Sequence, residues 1–184
     1  QVSGSANIFV TSSDVAEITL AASNTFTGTL TLQHGALLFV GHAWALGSAS
    51  AGTVANDSSY IGFEGGIHVP AEPLTMNTSY DHGAFWVTDG GNSWAGPIEL
   101  LRETSVNFSS AGSGLSLNLA GPISGAGGLT KRGTGTLILS GAVGNTCGGD
   151  TRVDEGTLIL DKTGGVAIRY GTLTIGDGEG GAKA

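Results

Sequence analysis

The chain has 184 residues, a formal net charge of −8, 33 glycines, one cysteine and only 12 % charged residues. Nucleic acids and anionic membrane surfaces both require clustered Lys and Arg, and seven scattered basic residues predict neither partner. The single cysteine, Cys147, excludes an internal disulfide and a CxxC zinc site. The hydrophobic share of 40 % is enough for a core, so disorder is not expected.

Short β-strands are predicted along the whole chain, because apolar residues alternate with Thr and Ser in brief runs between Gly-rich bends. Residues that favour helices are scarce, so the fold class is all-β. In the first half the predicted strands are 8–10, 18–20, 30–32 and 37–40. The most apolar segment, 36–47, contains His42 and is too short to span a bilayer, so no membrane insertion is expected.

The middle of the chain is less regular. From residue 41 to 92 the spacing loosens and aromatic residues concentrate, and Pro70 and Pro73 flank Glu72. We predict that about 66–83 forms an irregular loop protruding from the regular stack. We therefore predict one domain that consists of a diverged repeat (1–47), an irregular, aromatic-rich insertion (48–93) and a clear repeat (94–184).

From Gly114 onward the alternation is clearest. Single apolar residues or short alternating runs recur at 115–119, 123, 129, 137–139, 153, 158–160, 166–168 and 173–175. This spacing is too tight for βαβ units, which need a long crossover. An up-and-down antiparallel sheet and a solenoid with coils of about 20–25 residues remain. The solenoid is favoured, because the two Asp-Gly pairs, at 89–90 and 177–178, do not lie between matched strands.

Several motifs carry a family resemblance. They are Trp94-Ala-Gly-Pro-Ile98, the segments 123–131 and 133–141, the pair Asn145-Thr146 with 151–153 and 156–158, and a diverged copy at 24–28, 35–37 and 45–47. Together they resemble the autotransporter-associated β-strand repeat, also called the passenger-associated transport repeat. Cys147 departs from it, since the family usually has an aromatic residue there, as Phe26 is in the first copy.

The resemblance implies a right-handed parallel β-helix (β-solenoid) in a bacterial protein that is secreted or lies on the outer cell surface. Its implied role is structural, as a passenger scaffold, stalk, adhesin or fibre, without enzymatic activity. It supplies no catalytic, cofactor-binding or metal-binding residue to carry over. Division of the chain length predicts roughly seven to nine coils. No capping helix is predicted at either end, so we expect either that the chain is part of a longer array or that it self-associates end to end through open solenoid ends.

A carbohydrate-binding module is the alternative function. Flat apolar rings can stack on sugar faces, and Tyr60, Tyr80, Trp86 and Trp94 are the candidate residues for binding surface glycans. The competing interpretation is that these rings pack in the core or under a loop.

A polysaccharide lyase or hydrolase is the third hypothesis. Asp150, Asp154, Glu155 and Asp161 lie close together beside Arg152 and Lys162, and paired carboxylates can serve as acid and base. An outward face of mutually paired charges explains the same residues. Lys131 and Arg132 are expected to stay solvated at a strand end. The turn at 177–180 and the scattered histidines do not predict a metal site.

Overall fold

The computed structural model describes residues 1–12, 17–78, 84–109 and 114–176. All regular elements within these ranges are β-strands, and the same ranges contain no helix that could cross a membrane. The strands are β1 (Ser3–Gly4), β2 (Ile8–Thr11), β3 (Glu17–Leu20), β4 (Thr25–Phe26), β5 (Leu30–Gln33), β6 (Leu37–Val40), β7 (Thr53–Asp57), β8 (Tyr60–Phe63), β9 (His68–Val69), β10 (Leu74–Thr78), β11 (Phe85–Val87), β12 (Gly91–Trp94), β13 (Ile98–Leu100), β14 (Thr104–Phe108), β15 (Ser116–Leu119), β16 (Ile123–Ser124), β17 (Leu129–Arg132), β18 (Thr136–Gly141), β19 (Thr151–Val153), β20 (Thr157–Lys162) and β21 (Leu173–Ile175).

Three long parallel sheets form the sides of a β-solenoid of about seven turns. The eight-stranded sheet has the order β21-β19-β17-β14-β11-β8-β6-β3. The six-stranded sheet has the order β16-β13-β10-β7-β5-β2, and the five-stranded sheet has the order β20-β18-β15-β12-β9. A short fourth sheet pairs β1 with β4. The parallel solenoid predicted from the sequence is therefore confirmed.

The length of one coil varies along the stack. Ser116 pairs with Thr136, whereas Thr104 pairs with Leu129, and the second pair is separated by the longer stretch of chain. Both separations fall within the predicted coil length of about 20–25 residues. The variation is absorbed in the bends, so the strands stay in register while the corners differ in length.

Side chains that point inward form columns, because alternate residues of every strand face the interior. One column of the eight-stranded sheet contains Leu38, Ile61, Phe85, Val106, Lys131, Val153 and Ile175. Lys131 is therefore inside the solenoid and only 1 % exposed. The prediction that it stays solvated was wrong, because the register places it between Val106 and Val153.

The predicted protruding loop at about 66–83 is not found in the described part of that range. Strand β9 pairs with β12, and β10 pairs with both β7 and β13. Val69, Leu74 and Met76 are buried in the core, so this segment continues the coil. Pro70 and Pro73 lie in the bend between β9 and β10, where their missing N–H groups interrupt no strand pairing. Residues 79–83 lie outside the described residues.

Two asparagine side chains join the corners of successive coils by hydrogen bonds. Asn24 Oδ1 accepts a hydrogen bond from the Val2 N–H at 2.7 Å, and its Nδ2 donates to the Ala45 oxygen at 2.7 Å. Asn145 Oδ1 accepts from the Ile123 N–H at 3.0 Å, and its Nδ2 donates to the Ala167 oxygen at 2.8 Å. Each amide thus joins the coil before it to the coil after it. The 166–168 segment, predicted as a strand, serves as this corner and is not a strand.

Candidate functional site

The structure separates the four residues predicted to bind glycans. Tyr60 and Trp86 are brought together, with ring centroids 6.2 Å apart and ring planes inclined at 60°. Trp94 lies inside the solenoid with 0 % exposure, and its Nε1 donates to the Glu72 backbone oxygen at 2.8 Å. Its ring therefore belongs to the core and not to an accessible surface. Tyr80 lies outside the described residues.

Tyr60 and Trp86 belong to a small aromatic cluster on the outer face of the eight-stranded sheet. Leu37, Phe39 and Tyr60 are each less than a tenth exposed, and Trp86 packs against them. Gly62 provides room for this cluster, because a Cβ at that position would collide with the Phe39 ring. The half-buried Trp86 ring is consequently held in place from one side.

Polar residues continue from Trp86 along the solenoid axis. Trp86 pairs with Asn107, and Asn107 pairs with Arg132. Asp154 follows Val153, the partner of Lys131, and is therefore opposite Arg132. Successive coils are about 4.8 Å apart, so an aromatic ring, an amide and an ion pair form one outward row.

A groove of about 400 Å³ opens beside this row. Trp86, Asn107 and Arg132 form its sheet side, and the corner leading to the five-stranded sheet forms the other. The residues that line this second side are Phe108 at the end of β14, Ser109, Gly133 and Glu155. From the sequence, Trp86 was predicted to bind glycans and Glu155 belonged to the acidic group considered for polysaccharide cleavage. The other lining residues were not predicted, because they lie at least one coil away from Trp86 in the chain.

Asp154 forms ion pairs with two arginines near the groove. Arg132 Nε donates to Asp154 Oδ2 at 3.4 Å, and Arg152 Nε donates to the other carboxylate oxygen. Asp150 is separate, because its Oδ1 accepts a hydrogen bond from the Thr172 N–H at 2.7 Å. Asp154, which belongs to the acidic group considered for polysaccharide cleavage, therefore lies between two arginines. This arrangement agrees with the alternative interpretation of an outward face of paired charges.

Lys131 supports the groove from inside the solenoid. Its Nζ donates to the backbone oxygens of Gly133 at 2.6 Å and Glu155 at 2.8 Å, and lies 4.6 Å from the centroid of the Phe108 ring. Burial lowers the pKa of Lys131 to about 8, and the nearby Glu155 charge acts in the opposite direction. One ammonium thus contacts three residues that line the groove.

A second buried ionisable group lies at another corner. The Glu72 side chain is buried, and its Oε1 accepts a hydrogen bond from the Thr53 hydroxyl at 2.8 Å. Burial raises the pKa of Glu72 to about 7, and the bond from Thr53 opposes that rise. The two flanking prolines predict a loop around Glu72, and the burial of Glu72 follows from the regular coil found there.

Other ionisable residues form no comparable cluster. Within the described ranges, no group of three or more His, Cys, Asp or Glu side chains converges in a way that could hold a metal ion. His34 and Asp57 lie 3.6 Å apart on the surface. Cys147 is half-buried against the core.

The comparisons with known proteins agree with this fold. Residues 17–39 and 129–160 match the passenger-associated transport repeat family. No curated protein and no solved structure matches the chain. Asn24 lies in the first matched segment and Asn145 in the second. The match confirms the resemblance seen in the sequence motifs, and the chain is a β-solenoid with two segments that match the passenger-associated transport repeat.

Proposed function

We propose that this chain is a rigid, non-catalytic section of an autotransporter-like passenger that is secreted or displayed on a bacterial surface. The observation that supports this role is the filled interior. Large apolar side chains occupy the inward positions of successive coils, from Leu30 and Leu32 near one end to Leu137 and Leu139 near the other. A continuous core of this kind makes a rod that can keep other domains at a distance.

Solenoid geometry suits a spacer, because each coil interacts mainly with its two neighbours and length grows with coil number. Seven coils at about 4.8 Å each give a rod on the order of 35 Å long. The net charge of −8 favours solubility and disfavours adhesion to anionic surfaces. The family match supports a secreted or surface-exposed location.

The location is tested in the source cells with the full-length protein. A short epitope is inserted after Val143, an exposed residue in a bend, and intact cells are labelled with antibody. We expect labelling of intact cells, or tagged protein in the medium, and loss of the cell-bound signal after external protease treatment. Labelling only after permeabilisation would contradict the proposal.

The fibre-forming role rests on the last described coil. Several inward columns end there, with Leu160 and Leu173 exposed and Ile175 70 % exposed. An apolar groove of about 500 Å³ lies between Leu160, Val166 and Leu173. We propose that a second copy of the chain covers this face with its first coil, where Ile8 and Val10 are also only partly buried.

Light scattering across a concentration series and negative-stain electron microscopy test this association. We expect particles that lengthen with concentration, and Ile175→Lys should keep them short. Val143→Lys is the matched control, since Val143 is 59 % exposed in a bend on the side of the rod. Monodisperse single rods of the unmodified chain at high concentration would exclude self-association and leave the spacer role intact.

A further inference from the structure

We propose that the groove beside Trp86 binds a neutral glycan, with one pyranose ring against the Trp86 indole and the hydroxyl groups of the following sugar units bonded to Asn107, Arg132 and Glu155. The proposed spacer function does not require this activity. Glycan binding assigns a ligand to an outward surface where an aromatic ring, an amide and charged groups line a common groove.

The groove is rigid enough to select a ligand. Trp86 is supported on one side by Tyr60 and the aromatic cluster. On the other side, Gly133 and Glu155 are held by the buried ammonium of Lys131. A site whose walls are fixed before binding loses little conformational entropy when the ligand enters.

The lining has the chemistry that sugar recognition needs. The faces of a pyranose carry C–H groups that can pack on a tryptophan ring, which combines a large apolar area with few rotatable bonds. Around its edge, sugar hydroxyls both donate and accept hydrogen bonds. The Arg132 guanidinium has five N–H donors, of which Nε–H serves Asp154, and the Glu155 carboxylate is an acceptor.

The charge distribution favours a neutral sugar over an acidic one. Arg132 shares the Asp154 carboxylate with Arg152, and Glu155 adds a second carboxylate to the groove wall. The charges of these two arginines and two carboxylates sum to zero. A uronate or sulfate group would lie close to the Glu155 carboxylate, on a protein whose net charge is −8. Like charges at short range are repulsive, so an acidic glycan should bind more weakly than a neutral one.

The row also suits an extended chain of sugars. From Trp86 to Asp154 there are three coil spacings, roughly 14 Å at about 4.8 Å each. The spacing of neighbouring coils is close to the length of one pyranose unit, so a linear oligosaccharide can run parallel to the solenoid axis. Longer oligomers should therefore bind more tightly than single sugars.

Binding is measured by calorimetry with linear hexamers of β-1,4-glucose, α-1,4-glucose and β-1,4-mannose, and with a hexamer of galacturonate. We expect at least one neutral hexamer to bind at millimolar concentration or below, and more tightly than the galacturonate hexamer. Trp86→Ala should weaken that binding at least about tenfold, a difference of about 1.4 kcal/mol. Trp44→Ala is the matched control, because Trp44 is 55 % exposed and lies outside the groove.

Because Trp86→Ala could also disturb the packing of the aromatic cluster, a second variant tests the groove without removing a ring. Arg132→Gln leaves every ring in place and should weaken binding of the same hexamer several-fold. The proposal is overturned if none of the neutral hexamers binds, if only galacturonate binds, or if neither Trp86→Ala nor Arg132→Gln weakens binding.

Discussion

The ammonium of Lys131 lies 2.8 Å from the backbone oxygen of Glu155, a residue of the next coil. The same ammonium reaches Gly133 in its own coil, so a side chain inside the solenoid fixes the rim of an outer groove. A buried charge is tolerated only when its donors are satisfied, and here backbone oxygens at a corner satisfy two of them. Interior and surface are therefore energetically linked at this corner.

Lys131 should make stability depend on pH in the alkaline range. Its folded pKa is about 8 and its ordinary value 10.5. Between these values the unfolded chain holds a proton that the folded chain has released, so raising the pH favours folding. We expect stability against urea to rise by on the order of 2 kcal/mol from pH 8 to pH 10.5. Lys131→Met should remove this rise, and an unchanged slope in that variant would contradict the assignment.

Glu72 should make stability fall, rather than rise, with increasing pH in the acidic range. Its folded pKa is about 7 and its ordinary value 4.5, so between these values the folded chain holds a proton that the unfolded chain has released. Stability should therefore fall by about 1–2 kcal/mol as the pH rises from 4.5 to 7. Glu72→Gln should flatten this slope in urea titrations. Glu99→Gln, at an exposed position of β13, should leave it unchanged.

Asn145 should be important for the stability of the C-terminal coils. Asn145→Ala leaves the Ile123 N–H and the Ala167 oxygen without their partner, and each such group costs about 1–3 kcal/mol when buried. We expect a loss of about 2–4 kcal/mol and faster hydrogen exchange at the Ile123 amide. The control is Asn118→Ala, which removes only an outward bond from Ser140. Similar losses in both variants would show that the corner bridge has no special role.

Cys147 should react slowly with thiol reagents. Burial raises the pKa of its thiol above the ordinary value, and only the thiolate is nucleophilic. With a disulfide reagent at pH 8, we expect the folded chain to react at least about tenfold more slowly than the same chain in urea. Equal rates in the two conditions would mean that Cys147 is accessible and not packed against the core.

The architecture could be predicted from local pattern, because each coil repeats the same alternation. Apolar alternation located β2, β3, β5 and β6 closely, and Gly-rich bends indicated where the chain turns. The corner asparagines lie in the motifs that carried the family resemblance. The segment around Glu72 was mistaken for a protrusion, because its two prolines resemble a loop when the pairing of β9 and β10 is not known.

The groove could not be predicted in the same way. Trp86, Asn107 and Arg132 lie in three successive coils, and because those coils differ in length, no fixed period reveals the three residues as neighbours. Lys131 lies two residues after Leu129 and therefore faces inward like Leu129. Because Lys131 is charged, it was predicted to be exposed to solvent instead. Only the arrangement of the Gly133 and Glu155 oxygens at the corner explains how the interior accommodates it.

The parallel pairing of coils determines how the rod responds to force. Hydrogen bonds between neighbouring coils run along the solenoid axis, so tension applied along that axis loads the interfaces in series. The weakest interface then yields first, and the others remain intact while one coil peels away. Each released coil of roughly 20–25 residues would add roughly 70–80 Å of extended chain. The rod would therefore lengthen in steps under load, and each step would absorb mechanical work before the force reached the domains at its two ends.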